Sequence, residues 1–181
     1  MNKKKEIRRI ASDVVYRNRW MTVREDTIVR PSHQLGSYGV IEKADFAVIA
    51  AVEEGQMYLV EQYRYPVEGR YWELPQGSSE EQQGDPLGLA AAELREETGL
   101  VAGSMVHAGH LFLAYGYSTQ GYNVYLATQL TRLGAQCEPE EEGLIARAFD
   151  IGEIEKMIRD GEIKDATTVA AFGLLKLKGL L

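Results

Sequence analysis

Cysteine is almost missing from this chain: 181 residues contain one, Cys137. A lone cysteine cannot form an internal disulfide and matches no metal-site spacing, so neither a disulfide framework nor a zinc site organises the fold. Histidine is nearly as scarce, and His33, His107 and His110 fall into no ligand grouping. No apolar run approaches the ~20 residues that cross a bilayer, which argues against a membrane protein. The opening MNKKKEIRRI is basic, but ASDVVYRNRW meets charge before a signal-peptide core can build, so the expected location is cytoplasmic. Basic charge is thin elsewhere. Lys and Arg total 20 against 27 Asp and Glu, a formal net charge of −7. That balance argues against broad nucleic-acid binding, which needs a basic footprint. It leaves room for a small phosphorylated ligand if a divalent cation screens the phosphates.

What is present suits an ordinary folded domain. Apolar residues make up 45% and charged residues 26%, enough for one domain with a real core and a small appended piece. The segment 13–30, DVVYRNRWMTVREDTIVR, has the β-branched and aromatic content of two strands around Asn18-Arg19, and PSHQLGSYG then breaks the pattern. FAVIAAV (46–52) is a continuous apolar run and reads as a central strand. QMYLVEQYRYP (56–66) alternates after an EEG turn, and HLFLAYGY and NVYLATQL read as a strand pair around STQG. Three helices are signalled. Asp85 and Pro86 open one that ends at Thr98, just before Gly99. Asp150 with Glu153 forms a capping box for IGEIEKMIRDG, and Asp165 caps ATTVAAFGLLKLKG. The pattern predicts an α/β protein with a mixed sheet, a β-rich subdomain over 1–43 and a main domain over 44–181.

The chemistry concentrates in AAAELREETGL (90–100). On a helix, residues three and four apart share a face, so Glu93, Glu96 and Glu97 point one way while Leu89, Ala92 and Leu94 are free to pack. Like charges at that spacing repel by a few tenths of a kcal/mol per pair, and a hard cation such as Mg²⁺, which prefers oxygen ligands, offsets the repulsion. Taken alone, such a helix reads as a solvated face with Arg95 as local partner.

Its surroundings change that reading. From Gly77 to Leu100 the chain resembles the Nudix box, matching it at Gly77, Glu93, Leu94, Glu96, Glu97, Gly99 and Leu100. The flanking VEQYRYPVEGRYWELPQG and GEIKDATTVAAFGLL resemble the ADP-ribose and nucleotide-sugar branch of Nudix hydrolases. Two positions depart from the box: Ala92 stands where it has arginine, and Gln83 or Gly84 where it has its first glutamate. In the family these two are thought to pair and brace the loop, and losing both together is often tolerable. Glu80 or Glu81 with Arg95 are candidates to replace the brace.

The resemblance implies a Nudix α/β/α sandwich that hydrolyses the pyrophosphate bond of a nucleoside diphosphate sugar, such as ADP-ribose or GDP-mannose, to a nucleoside monophosphate and a sugar phosphate. It implies Mg²⁺, or Mn²⁺, held by Glu93, Glu96, Glu97 and the Gln76 carbonyl. It also implies a further acid in CEPEEEGLI, where Glu140, Glu141 and Glu142 are candidates for general base or extra metal ligand. For substrate it points to Arg64, suited to bidentate phosphate contact, to Glu73, and to the YGYSTQGY segment with Gln120. Trp20 and Trp72 are candidates to stack a base or to fill the core. The branch further implies a homodimer in which the N-terminal piece crosses to the second subunit and places Trp20 near its pocket. The rival reading, motivated by Ala92 and the missing glutamate, is a non-catalytic nucleotide-binding or regulatory module on the same fold.

Overall fold

The computed structural model describes residues 6–78, 85–133 and 143–181. β1 (Arg8–Arg17), β2 (Thr22–Val29) and β3 (Leu35–Glu42) form an antiparallel sheet in that order. The main sheet comprises β4 (Phe46–Glu53), β5 (Gln56–Arg64), β6 (Gly69–Glu73), β7 (Gln76–Gly77), β8 (Leu100–Phe112), β9 (Gly121–Arg132) and β10 (Ile145–Asp150). Its order is β10-β5-β4-β9-β8, with β6 added to β5 and β7 to β4. β4 runs parallel to β9 and antiparallel to β5 and β7, so the sheet is mixed. The helices are α1 (Pro86–Thr98), α2 (Ile151–Arg159) and α3 (Ala166–Leu177).

The unbroken apolar run of β4 has a direct cause: both of its faces are covered. Phe46, Val48 and Ala50 pack with Ile154, Met157, Phe172 and Leu175 of α2 and α3. Ala47, Ile49 and Ala51, facing the other way, pack with Ala90 and Leu94 of α1. The result is a helix–sheet–helix sandwich centred on β4.

Several local expectations changed. The PSHQLGSYG break holds only through the turn, where Arg30 N–H donates to the Gln34 carbonyl at 3.0 Å. From Leu35 onward the chain is a strand in continuous register with β2, because ladder pairing outweighs the low strand preference of Gly36 and Gly39. The strand placed at HLFLAYGY lies earlier, starting directly after α1 and ending at Phe112, and its tyrosines fall in the following loop. β6, β7 and β10 were not anticipated. Asp150 does precede α2, but its side chain makes no capping bond. Ile151 N–H, a first-turn donor outside the reach of a capping box, donates to the Gly55 carbonyl of the β4–β5 turn at 3.2 Å.

Candidate active site

α1 is bounded as its sequence dictates. Asp85 accepts from the backbone N–H groups of Leu87 and Gly88 at 3.1 Å each. Gly99 ends the helix in the left-handed region at φ 72°, donating to the Arg95 carbonyl at 2.9 Å. Buried Ala90 and Leu94 fix the helix against the sheet. Ala92, expected to help in packing, is exposed.

That anchoring turns the acidic face toward β7. Glu97 is buried, and its Oε2 accepts the Gln76 backbone N–H at 3.0 Å. Glu93 reaches Gly77 so closely that a Cβ on this glycine would lie 2.2 Å from its carboxylate oxygens. Only glycine leaves that space. Glu96 is half-buried on the same helix. Hard oxygen donors of this kind suit a divalent cation such as Mg²⁺ or Mn²⁺. Among the described residues no group of three or more His, Cys, Asp or Glu side chains gathers as a ready ligand cage. The helix carboxylates are a compatible donor set on one face rather than a closed cage.

Gln76 and Gly77 also form part of the wall of a cavity of about 1080 Å³, roomy enough for a nucleotide-sized ligand. Arg64, Glu73 and Gln120, all nominated from sequence, line it. Arg64 and Glu73 are not independent, since Arg64 donates from Nε to Glu73 Oε2 at 3.2 Å and from a terminal nitrogen to Oε1. Gln62 adds a bond to Oε1 at 2.8 Å. Burial pushes the Glu73 carboxyl above the usual glutamate range, and Arg64 opposes that rise. Gln120 is buried, and its Nε2 donates to the Ala44 carbonyl at 2.8 Å. The loop before it is fastened to β3: Ile41 N–H donates to the Tyr117 carbonyl at 2.8 Å, and Thr119 N–H to the Ile41 carbonyl at 2.9 Å.

Other nominations lie apart. Glu93, Glu96 and Glu97 are not among the described cavity-lining residues and adjoin that space through Gln76 and Gly77. Trp20, in the β1–β2 turn, is 55% exposed and does not line the cavity among the described residues. Trp72 packs edge-on against Phe149, a core role. Glu80 and Glu81, proposed for the brace, and Glu140, Glu141 and Glu142 lie outside the described residues.

Sequence reasoning missed Lys43, Tyr71, Lys164 and Asp165, which line the same cavity. Lys164 stands with its Nζ 5.7 Å from the Tyr71 ring centroid. With Arg64, the two lysines put three cationic side chains on the walls, which favours phosphate. No local signal marks Lys164, since a cation gains nothing beside the partly positive N-terminal end of α3.

Comparison with known proteins agrees with this architecture. Residues 7–41 match the nucleoside diphosphate sugar hydrolase N-terminal domain, and residues 42–172 match the NUDIX domain. The chain is 31% identical over 163 residues to the ADP-ribose pyrophosphatase of Mycobacterium tuberculosis, covering 89% of this chain and 79% of that protein. It is 30% identical over 136 residues to the ADP-ribose pyrophosphatase of Bacillus subtilis, covering 75% and 73% respectively. A methanol dehydrogenase activator from Bacillus methanolicus is 28% identical over 183 residues, covering 100% of this chain and 98% of that protein. The fold is similar to a crystal structure of an ADP compounds hydrolase, with TM-score 0.86, 19% identity, and 99% and 98% of the two chains covered.

Proposed function

Because the chain belongs to the Nudix family, as a pyrophosphohydrolase of nucleoside diphosphate sugars, we propose that it cleaves the pyrophosphate bond of ADP-ribose, GDP-mannose or a close analogue. The products are a nucleoside monophosphate and a sugar phosphate. The supporting observation is the convergence of two carboxylates from α1 on β7, Glu93 at Gly77 and Glu97 at Gln76, where β7 forms a wall of the cavity that Lys43, Arg64 and Lys164 also line.

Each residue has a task in this reading. Glu93, Glu96 and Glu97, with the Gln76 carbonyl, hold Mg²⁺, with Mn²⁺ as a substitute. Bound metal supplies the positive charge that offsets the anionic pyrophosphate and lets water approach phosphorus. Arg64, oriented by Glu73, takes a phosphate oxygen, and Gln120 helps shape the pocket. Glu141 or Glu142, in the segment outside the described residues, accepts the proton of the attacking water. The N-terminal sheet of one subunit reaches the pocket of a second in a homodimer, bringing Trp20 toward the substrate.

The test is product identification after incubation with ADP-ribose, GDP-mannose, UDP-glucose and dinucleotides in the presence of Mg²⁺. Nucleoside monophosphate release from at least one sugar nucleotide is expected, and it should stop when the metal is chelated. Silence across the whole panel would overturn the reading.

A further inference from the structure

The segment Leu74–Gly77 is held from two sides, and only one of them is α1. On the other side stands Thr168, 1% exposed, in the first turn of α3. Its Oγ1 accepts the Leu74 backbone N–H at 2.8 Å and donates to Asp165 Oδ2 at 2.7 Å. Asp165 Oδ2 also accepts the Thr168 N–H at 2.8 Å and the Gln76 Nε2 at 3.3 Å. Next along the chain, Pro75 is fully buried and its carbonyl accepts from Ile49 N–H at 2.9 Å. The Gln76 N–H then meets Glu97. Polar contacts therefore run from the start of α3, through the backbone of 74–76, to the acidic face of α1.

We propose that Asp165 and Thr168 are positioning residues for the reaction: they fix the Leu74–Gly77 segment so that Gln76 and Gly77 stand at the distances Glu97 and Glu93 require. The cap of α3 does two jobs. An N-cap needs only a side-chain oxygen for the first-turn N–H groups, and here the same carboxylate also takes a donor from Gln76. The buried Thr168 hydroxyl gives its one donor to Asp165 and accepts the N–H of Leu74, so it links the cap to the segment. Helix stability alone does not call for the bond to Leu74. The role in turnover rests on the pyrophosphohydrolase reading, whereas the role in holding the segment does not.

Two measurements separate these. Amide hydrogen exchange by NMR on the full chain reads the segment directly, and kcat and KM on the accepted sugar nucleotide read the consequence. Thr168→Val keeps the shape and removes the hydroxyl. The Leu74 and Gln76 amides should exchange faster, and kcat should fall about 10- to 100-fold with little change in KM, the range for groups that orient a first layer of ligands. Thr168→Ser should restore both. Asp165→Asn keeps a capping oxygen if Thr168→Val fails to fold, and it should lower kcat about tenfold while α3 stays intact. Wild-type exchange at Leu74 and Gln76 in Thr168→Val overturns the proposal, as does unchanged kcat in both folded variants. If the wild-type chain turns over nothing, the functional reading falls, and the exchange rates alone decide whether the segment is held as described.

Discussion

Arg64 holds the buried carboxylate of Glu73 through two nitrogens, one of them at 3.2 Å, across the β5–β6 pair. Burial is the largest influence on Glu73 and raises its pKa, while Arg64 and Gln62 pull it down and Asp165 adds to the rise. A folded pKa above the unfolded one means that the native state binds the proton more tightly. The contribution of this group is therefore full below the ordinary glutamate range and is lost as pH rises through the raised value. Glu73→Gln should remove that component: the stability of wild type minus variant falls with rising pH across this window in paired thermal melts.

Arg64→Ala should enlarge the same component, because the charge that stabilises the carboxylate is gone. The cost at neutral pH is expected at about 1–3 kcal/mol, the usual range for an unsatisfied buried group. It stays below that of breaking a fully buried pair because Arg64 is 40% exposed and Gln62 still bonds Oε1. The loss should shrink toward acid pH, where Glu73 is protonated. KM should rise as well, since the same guanidinium faces the cavity. A pH-independent loss, or an unchanged KM, would contradict this assignment.

Glu97→Gln isolates charge from shape. The amide keeps an oxygen that can accept the Gln76 N–H, so the segment should stay in place and the melting temperature should hold. Removing a negative charge beside Glu93 and Glu96 relieves repulsion in the metal-free chain. Turnover should nonetheless drop by about 10²–10⁴, the range for losing a major electrostatic or acid–base group. Substrate binding should weaken less, because Arg64 remains. Near-normal turnover with an unchanged melt would show that the charge of Glu97 has no part in turnover and that its role is to hold Gln76.

Gly77→Ala tests the close approach. The added methyl meets the flexible end of Glu93 rather than backbone, so the side chain can swing away and folding should survive. The displaced carboxylate is then out of position, and a misplacement of about an ångström can cost about 10²-fold in rate. Activity should fall much more than stability. Equal activity at equal metal concentration would show that Glu93 has no required position.

α1 was legible in the sequence because its signals are local: Asp85, Pro86 and Gly99 act on their own helix, and the structure bounds it where they stand. β4 was legible because burial on both faces leaves a continuous apolar run. β3 was not, since its glycines argue against a strand and only pairing with β2 reverses that. The same limit applied to the site. Arg64 and Gln120 could be nominated singly, but the pairing of Arg64 with Glu73 depends on the β5–β6 register, and the use of an α3 cap by Gln76 joins residues distant in sequence. Propensity and spacing carry no signal for such contacts. Asp150 shows the converse: its local signal marks the start of α2 correctly, yet its side chain makes no capping bond.

The N-terminal sheet supplies the last prediction. β1 is exposed along its whole length and is an edge of its sheet. Ile10, Val14, Val15, Tyr16 and Trp20 are all exposed on it or at its turn. An edge strand this apolar invites pairing or burial, and a short sheet gains stability when it packs on something. A second copy of the chain is the expected cover, with β1–β3 reaching the partner's pocket. Within one chain the strand end at Ile41 is joined to the loop of Tyr117 and Thr119 beside the cavity, so covering the sheet with a second copy would bear on substrate binding. Solution scattering at micromolar concentration should give a dimer. Trp20→Ala should raise KM by about tenfold, near 1.4 kcal/mol, with the dimer retained. A monomeric wild type would exclude the exchange, and a dimeric Trp20→Ala with unchanged KM would remove Trp20 from the partner's pocket.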